Sequence, residues 1–162
     1  MNTSTPILTP PAHGIYWPGQ GGLYIASLPA RDGAPARHLI ASQEELEHAK
    51  YGPYINIAGA NSHHNGRTNT AALLASGHDH PAASWAHQHQ ADGHADFHLP
   101  SQAELMACYV FAPEAFNPKG WYWSSTQGDS HNAFAQNFAY GFSFWGNRGS
   151  ELRVRAVRWI QL

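Results

Sequence analysis

A chain of 162 residues with only 12% charged side chains and a net charge of −2 is long enough for one domain with a sizeable core and short for two. Its nine Lys and Arg are spread thinly and offer no cationic stripe for phosphates, which argues against nucleic acid as a partner. No apolar run has the length of a membrane span, and MNTSTPILTPPAHG lacks the basic start and apolar stretch of a secretory signal, so the chain is expected to be made in the cytoplasm without membrane insertion.

Residues 1–13 are polar and Pro-rich and read as a flexible or contact-ordered lead-in to a single domain over 14–162. Turn residues from Pro18 to Gly22 precede Leu23 to Ala26, a short strand whose hairpin partner is ARHLIA beyond the ARDGAP turn. Ser42 with Glu45 three residues later has the form of a capping box, and Leu46 and Ala49 share a face, so a helix is expected from Ser42 to the Tyr51-Gly52-Pro53 break. Further helices are expected over Asn69 to Ala75, from Pro81 with Ala82, Trp85 and Ala86 inward, and over Ser101 to Val110, where Ser101 and Glu104 form a second capping box. FHLP reads as a strand entering that last helix. YWSS, NAFAQNF, FSFWG and ELRVRAVRWI then read as four short strands. Cys108, the single cysteine, lies in LMACYVF and is expected as a buried thiol.

Half of the Phe, Tyr and Trp residues fall between Trp121 and Trp159. In NAFAQNFAYGFSFWG the even positions Phe134, Phe138, Tyr140, Phe142 and Phe144 are large and the odd ones mostly small, which predicts a hairpin with one aromatic face, turning near Tyr140 and Gly141. Phe134 and Phe138 are assigned to the core. Tyr140, Phe142, Phe144 and Trp145, set among Gly, Ser and Asn, have the composition of a contact surface, with Asn132, Gln136, Asn147 and Arg148 as polar neighbours.

FHLPSQAELMACY, YWSSTQ, NAFAQNFAYGFSFWGN and LRVRAVR together resemble a bacterial and prophage domain of unknown function. That domain is found at the C-terminus of collagen-like adhesins and in phage proteins encoded beside tail genes. The matching residues are Leu99, Pro100, Ser101, Glu104 and Leu105; Tyr122 to Thr126; and Val154, Arg155, Val157 and Arg158, with Ala156 where the family often has Cys. Upstream, YWPGQGGLYIASL, YGPY, TNTAALL and HPAASWA extend the resemblance over about 14–160.

The resemblance implies an α+β, C-type-lectin-like fold. It implies a non-enzymatic protein of the virion tail, in the tail fibre or baseplate, with no cofactor. That protein would recognise a protein or glycan receptor on a bacterial surface, or attach to other tail proteins, as a homo-oligomer such as a trimer. An assembly factor absent from the finished particle is the alternative within the same setting. In this fold YWSST is expected to be structural, with Tyr122 and Trp123 in the core and the three hydroxyls bonding loop backbone. Neither an acidic-Pro-Asn loop nor a Trp-Asn-Asp strand is present to bind calcium as sugar-binding C-type lectins do.

The rival class is a metal-dependent hydrolase. His78, His80, His87, His89, His94 and His98, with Asp79, Asp92 and Asp96, supply the right ligand types. Against it stand the absence of HExxH and the Gln, Gly and Ala-rich surroundings. No metal ligand and no catalytic residue is assigned, and His63 and His64 in NSHHNGRTNT read as loop residues.

Overall fold

The computed structural model describes residues 8–162, so the first half of the lead-in, residues 1–7, lies outside the described residues. Within the remainder of the lead-in, His13 Nδ1 lies 2.6 Å from the Ile25 carbonyl oxygen and its ring stacks on Tyr24. The chain is α+β, with seven strands and three helices: β1 (Tyr16–Trp17), β2 (Gly22–Leu28), β3 (Arg37–Ala49), α1 (Gly66–Ala75), α2 (Pro81–Gln88), α3 (Gln102–Phe111), β4 (Trp121–Gln127), β5 (Asn132–Asn137), β6 (Ser143–Asn147) and β7 (Leu152–Gln161). The strand order is β1-β2-β3-β7-β4-β5-β6. Two antiparallel ladders, β1-β2-β3-β7 and β4-β5-β6, are joined by one parallel pairing, Tyr122 with Arg153.

Side chains alternate across a strand, and the central strands are covered on both faces. Trp123, Val154 and Ala156 point to one side and pack with Leu73 of α1 and Ala82, Ala83 and Ala86 of α2. Tyr122 and Val157 point to the other and pack with Leu105 and Cys108 of α3, together with Ile25 and Leu39. Truncating a fully buried side chain such as Trp123 to Ala costs about 3–5 kcal/mol. Burial pushes the Cys108 thiol up to about 12, as suits an inert core thiol.

The helix expected from Ser42 does not form; these residues are the second half of β3. The Ser42 hydroxyl donates to the Glu44 carbonyl and accepts from the Ala156 backbone N–H, so it caps nothing. Glu45 meets Arg153 at 2.7 Å and Arg155 at 3.6 Å, partners supplied by β7. These long-range bonds, with bulges between Ala41 and Glu45 and between Leu46 and Ala49, hold the segment extended. FHLP likewise contributes only an isolated bridge, His98 to Val157.

At α3 the same Ser-x-x-Glu pattern is realised. Ser101 Oγ accepts from Glu104 N–H, and the Glu104 carboxylate accepts from Ser101 N–H at 2.8 Å. Glu104 is fully buried and also meets Arg37 at 3.3 Å and His98 at 3.2 Å. Gly66 abuts it so closely that a Cβ there would sit 2.3 Å from Glu104 Oε2. Only glycine allows α1 to begin at this junction.

Candidate functional site

The YWSST strand builds one wall of the candidate site. Tyr122 and Trp123 are buried, as expected, and the hydroxyls that follow bond to backbone. Ser125 Oγ donates to the Pro100 carbonyl at 3.2 Å. Thr126 Oγ1 donates to the Ser62 carbonyl at 2.8 Å and accepts from Gln102 N–H at 2.9 Å. Asn69 of α1 grips the same loop from below, accepting from Ser62 N–H at 2.9 Å and donating to its carbonyl at 2.7 Å. Ala103 N–H bonds the His63 carbonyl, and Arg37 Nη2 bonds that of His64. Held from several sides, the 59–65 loop still leaves the side chains of Asn61 and His63 exposed.

The opposite wall is the turn from β4 to β5 with Trp145 of β6. Asp129 Oδ1 accepts from the N–H groups of His131 at 2.7 Å and Asn132 at 2.8 Å. These bonds, His131 first, hold the Asp129 carboxyl below its ordinary pKa, so it is ionised at neutral pH. Beneath the turn, buried Arg148 donates to the Ile55 carbonyl at 2.6 Å, to Gln127 Oε1 at 2.8 Å and to the Asp129 carbonyl. Trp145 is half exposed, lies edge-on to Phe134 at 5.6 Å, and faces His63 at 6.4 Å. Its ring runs so close over Gly128 that a Cβ there would stand 2.8 Å from Cε3, so glycine is what admits the ring.

Between the walls lies a cleft of about 420 Å³ lined by Asn61, His63, Gln127, Gly128, Asp129, Asn132 and Trp145. A second hollow of about 610 Å³ continues along the loop to Asp32 and Thr68, sharing Asn61 and His63 with the first.

The expected contact residues do not share one surface. Tyr140 and Phe142 are 77% and 63% exposed at the hairpin tip, their rings 5.8 Å apart. Phe144 and Trp145 are both partly exposed but point to opposite faces. The single aromatic face expected from even numbering is therefore not formed. Register pairs Phe134 with Trp145 and Ala135 with Phe144, so the parity reverses across the turn. Phe144 instead packs edge-on against Trp121 at 4.4 Å.

Gln136 and Arg148 are buried and are corrected to structural roles. The Gln136 amide clasps the tip turn by donating to the Asn137 and Phe142 carbonyls, both at 3.1 Å. Arg148 anchors the Pro53 and Ile55 carbonyls to the β4–β5 turn. Asn147 is exposed, but its Oδ1 accepts from Tyr54 O–H at 2.8 Å and Gly149 N–H at 2.9 Å. Asn132 lines the cleft.

The histidine cluster is dispersed. Among the described residues no three His, Cys, Asp or Glu gather into a metal-holding group. His80 is buried at the start of α2 with Nδ1 3.1 Å from the Tyr51 carbonyl oxygen, His98 is buried against Glu104, and His94 Nε2 lies 2.9 Å from the Gly19 carbonyl oxygen. His89 packs edge-on to Phe97 at 4.6 Å, and His78 and His87 face solvent. Asn61 and Asp129 in the cleft were not singled out by sequence, and His63 was read only as a loop residue, because nothing local brings residues 61, 129 and 145 together.

No model of a known protein family matches the chain, and no curated protein matches it. Among solved structures, a fimbrial protein from Bacteroides ovatus ATCC 8483 is similar, with a TM-score of 0.55 at 13% identity. The similarity covers 76% of this chain and 36% of the other, so the chain spans about a third of that protein. At this identity the likeness is one of fold.

Proposed function

We propose that the chain is a non-enzymatic recognition domain with a C-type-lectin-like fold, carried on the tail of a phage or prophage, where it contacts a bacterial surface receptor or a neighbouring tail protein. The observation that carries this reading is the exposure of Tyr140, Phe142, Phe144 and Trp145 on one hairpin whose base, Phe134 and Phe138, is core. Tyr140 and Phe142, large aromatics held at the surface by a clasped turn, are typical of contact residues, since unpartnered apolar surface costs solubility. The motif resemblance supplies the phage setting and the finer fold. The fimbrial description of the similar structure is in keeping with adhesion and adds nothing more specific. A homo-oligomer, a trimer for instance, would multiply weak single-site contacts.

The test is the combined variant Tyr140→Ala, Phe142→Ala and Trp145→Ala. It should keep the wild-type circular dichroism spectrum and lose binding to bacterial envelope fractions. Unfolding of the variant would show these side chains to be structural, and unchanged binding would overturn the reading. Mass spectrometry and immunogold labelling of purified particles place the chain in the virion or show it to be absent, as an assembly factor would be.

A further inference from the structure

We propose that the trough between the 59–65 loop and Trp145 binds a neutral, hydroxyl-rich glycan, an assignment that rests on the reading of the chain as a recognition domain. Two hollows of about 420 and 610 Å³, joined at Asn61 and His63, each fall within the usual size of small-molecule sites and together leave room for more than one sugar ring. Trp145, half exposed in the lining, supplies an indole of the kind against which the C–H face of a sugar ring packs.

Hydrogen-bonding groups around that face divide sharply into engaged and free. Ser62, Asn65 and Asn69 bond within the scaffold. The Asn61 amide and the His63 ring have no side-chain hydrogen-bond partner among the described residues, and Asn132 keeps its Oδ1 open while its Nδ2 reaches Asp129 Oδ2 only at 3.4 Å. An amide presents a donor and an acceptor side by side and a carboxylate two acceptors, both of which match adjacent hydroxyls. The loop carrying them is already fixed by Thr126 and Asn69, so little ordering is needed on binding.

Charge selects among glycans. The lining holds two carboxylates, Asp32 and Asp129, and neither Lys nor Arg. Arg148 is buried beneath the floor, its guanidinium directed to carbonyls and Gln127. Phosphorylated, sialylated or uronic acid ligands would therefore meet repulsion from two lining carboxylates, while Arg31, which acts on His64 from outside the lining, sits beside Asp32 in the chain.

The full chain is applied to an array of neutral and acidic bacterial oligosaccharides in the presence of a chelator, alongside Asn61→Ala and Trp145→Ala. Neutral members are expected to bind. Asn61→Ala, an exposed change without structural partners, is expected to weaken them about tenfold, and Trp145→Ala by more. Binding confined to acidic members, or untouched by either substitution, overturns the assignment. In parallel, envelope fractions are treated with periodate, which cleaves vicinal diols, or with protease. Loss on periodate alone supports the glycan. Survival of periodate with loss on protease overturns the glycan and leaves the recognition reading standing, whereas absence of binding to both array and untreated envelopes overturns both.

Discussion

Replacing Glu104 by Gln keeps the shape of the side chain and removes its charge from the junction of α3, α1 and the 59–65 loop. The carboxylate is fully buried, accepts from Ser101 N–H and faces both Arg37 and His98. Removing one member of a buried ion pair costs about 3–5 kcal/mol, because the other is left without its counter-charge. Arg37 retains the Pro29, Pro35 and His64 carbonyls at 3.2, 3.0 and 2.9 Å, which places the loss near the lower figure, about 3 kcal/mol. At this chain length that lowers the melting temperature by roughly 10 °C. Urea unfolding across a pH series measures it. Burial works to raise the Glu104 pKa, but His98, Ser101 N–H and Arg37 outweigh it and hold it below its ordinary 4.5. The folded pKa is depressed, so the contribution is complete above about 4.5 and is lost as pH falls through the lower, folded value. The gap between wild type and Glu104→Gln should be present at neutral pH and narrow below the glutamate range. A gap under about 1 kcal/mol at neutral pH, or one that does not narrow in acid, would refute the assignment of Glu104 as a stabilising buried anion.

Thr126→Val removes the hydroxyl joining Ser62 to Gln102 and should cost about 1–3 kcal/mol by chemical denaturation, with faster amide exchange in the 59–65 loop. Gly128→Ala drives a methyl against the indole of Trp145 and should cost about 1–3 kcal/mol and shift the tryptophan emission; unchanged emission would contradict the close approach. Tyr140→Ser, at an exposed tip position, should alter stability by no more than about 0.5 kcal/mol while weakening envelope binding. Cys108, buried and with its thiol pushed up to about 12, should resist thiol reagents at pH 8 until denaturant is added.

The sequence was most informative where a local pattern met no long-range competitor. The capping box at Ser101, Pro81 at the start of α2 and the four short strands from Trp121 onward all formed. Ser42 and Glu45 show the limit of that logic: the same letters were claimed by Ala156, Arg153 and Arg155, more than a hundred positions away. The hairpin face was misjudged for a related reason, since alternation along one strand says nothing about which residue it meets across the turn. Arg148 and Gln136 look like surface polar groups in sequence, but the carbonyls they satisfy belong to loops whose path is set only by the complete fold. The cleft was illegible because its walls come from three separate segments.

The placement of β7 has a consequence for biogenesis. The last strand in chain order occupies the middle of the sheet, between β3 and β4, and supplies the pairing that joins the two ladders. Until it emerges from the ribosome, β3 and β4 each present an open edge rich in buried-type side chains, and no native core can close. Folding of nearly the whole domain therefore waits for β7, is slow because its decisive contacts are non-local, and is exposed to aggregation meanwhile. Expression at low temperature or with a holdase chaperone should raise the soluble yield, and a nascent chain stalled before Leu152 should remain protease-sensitive throughout.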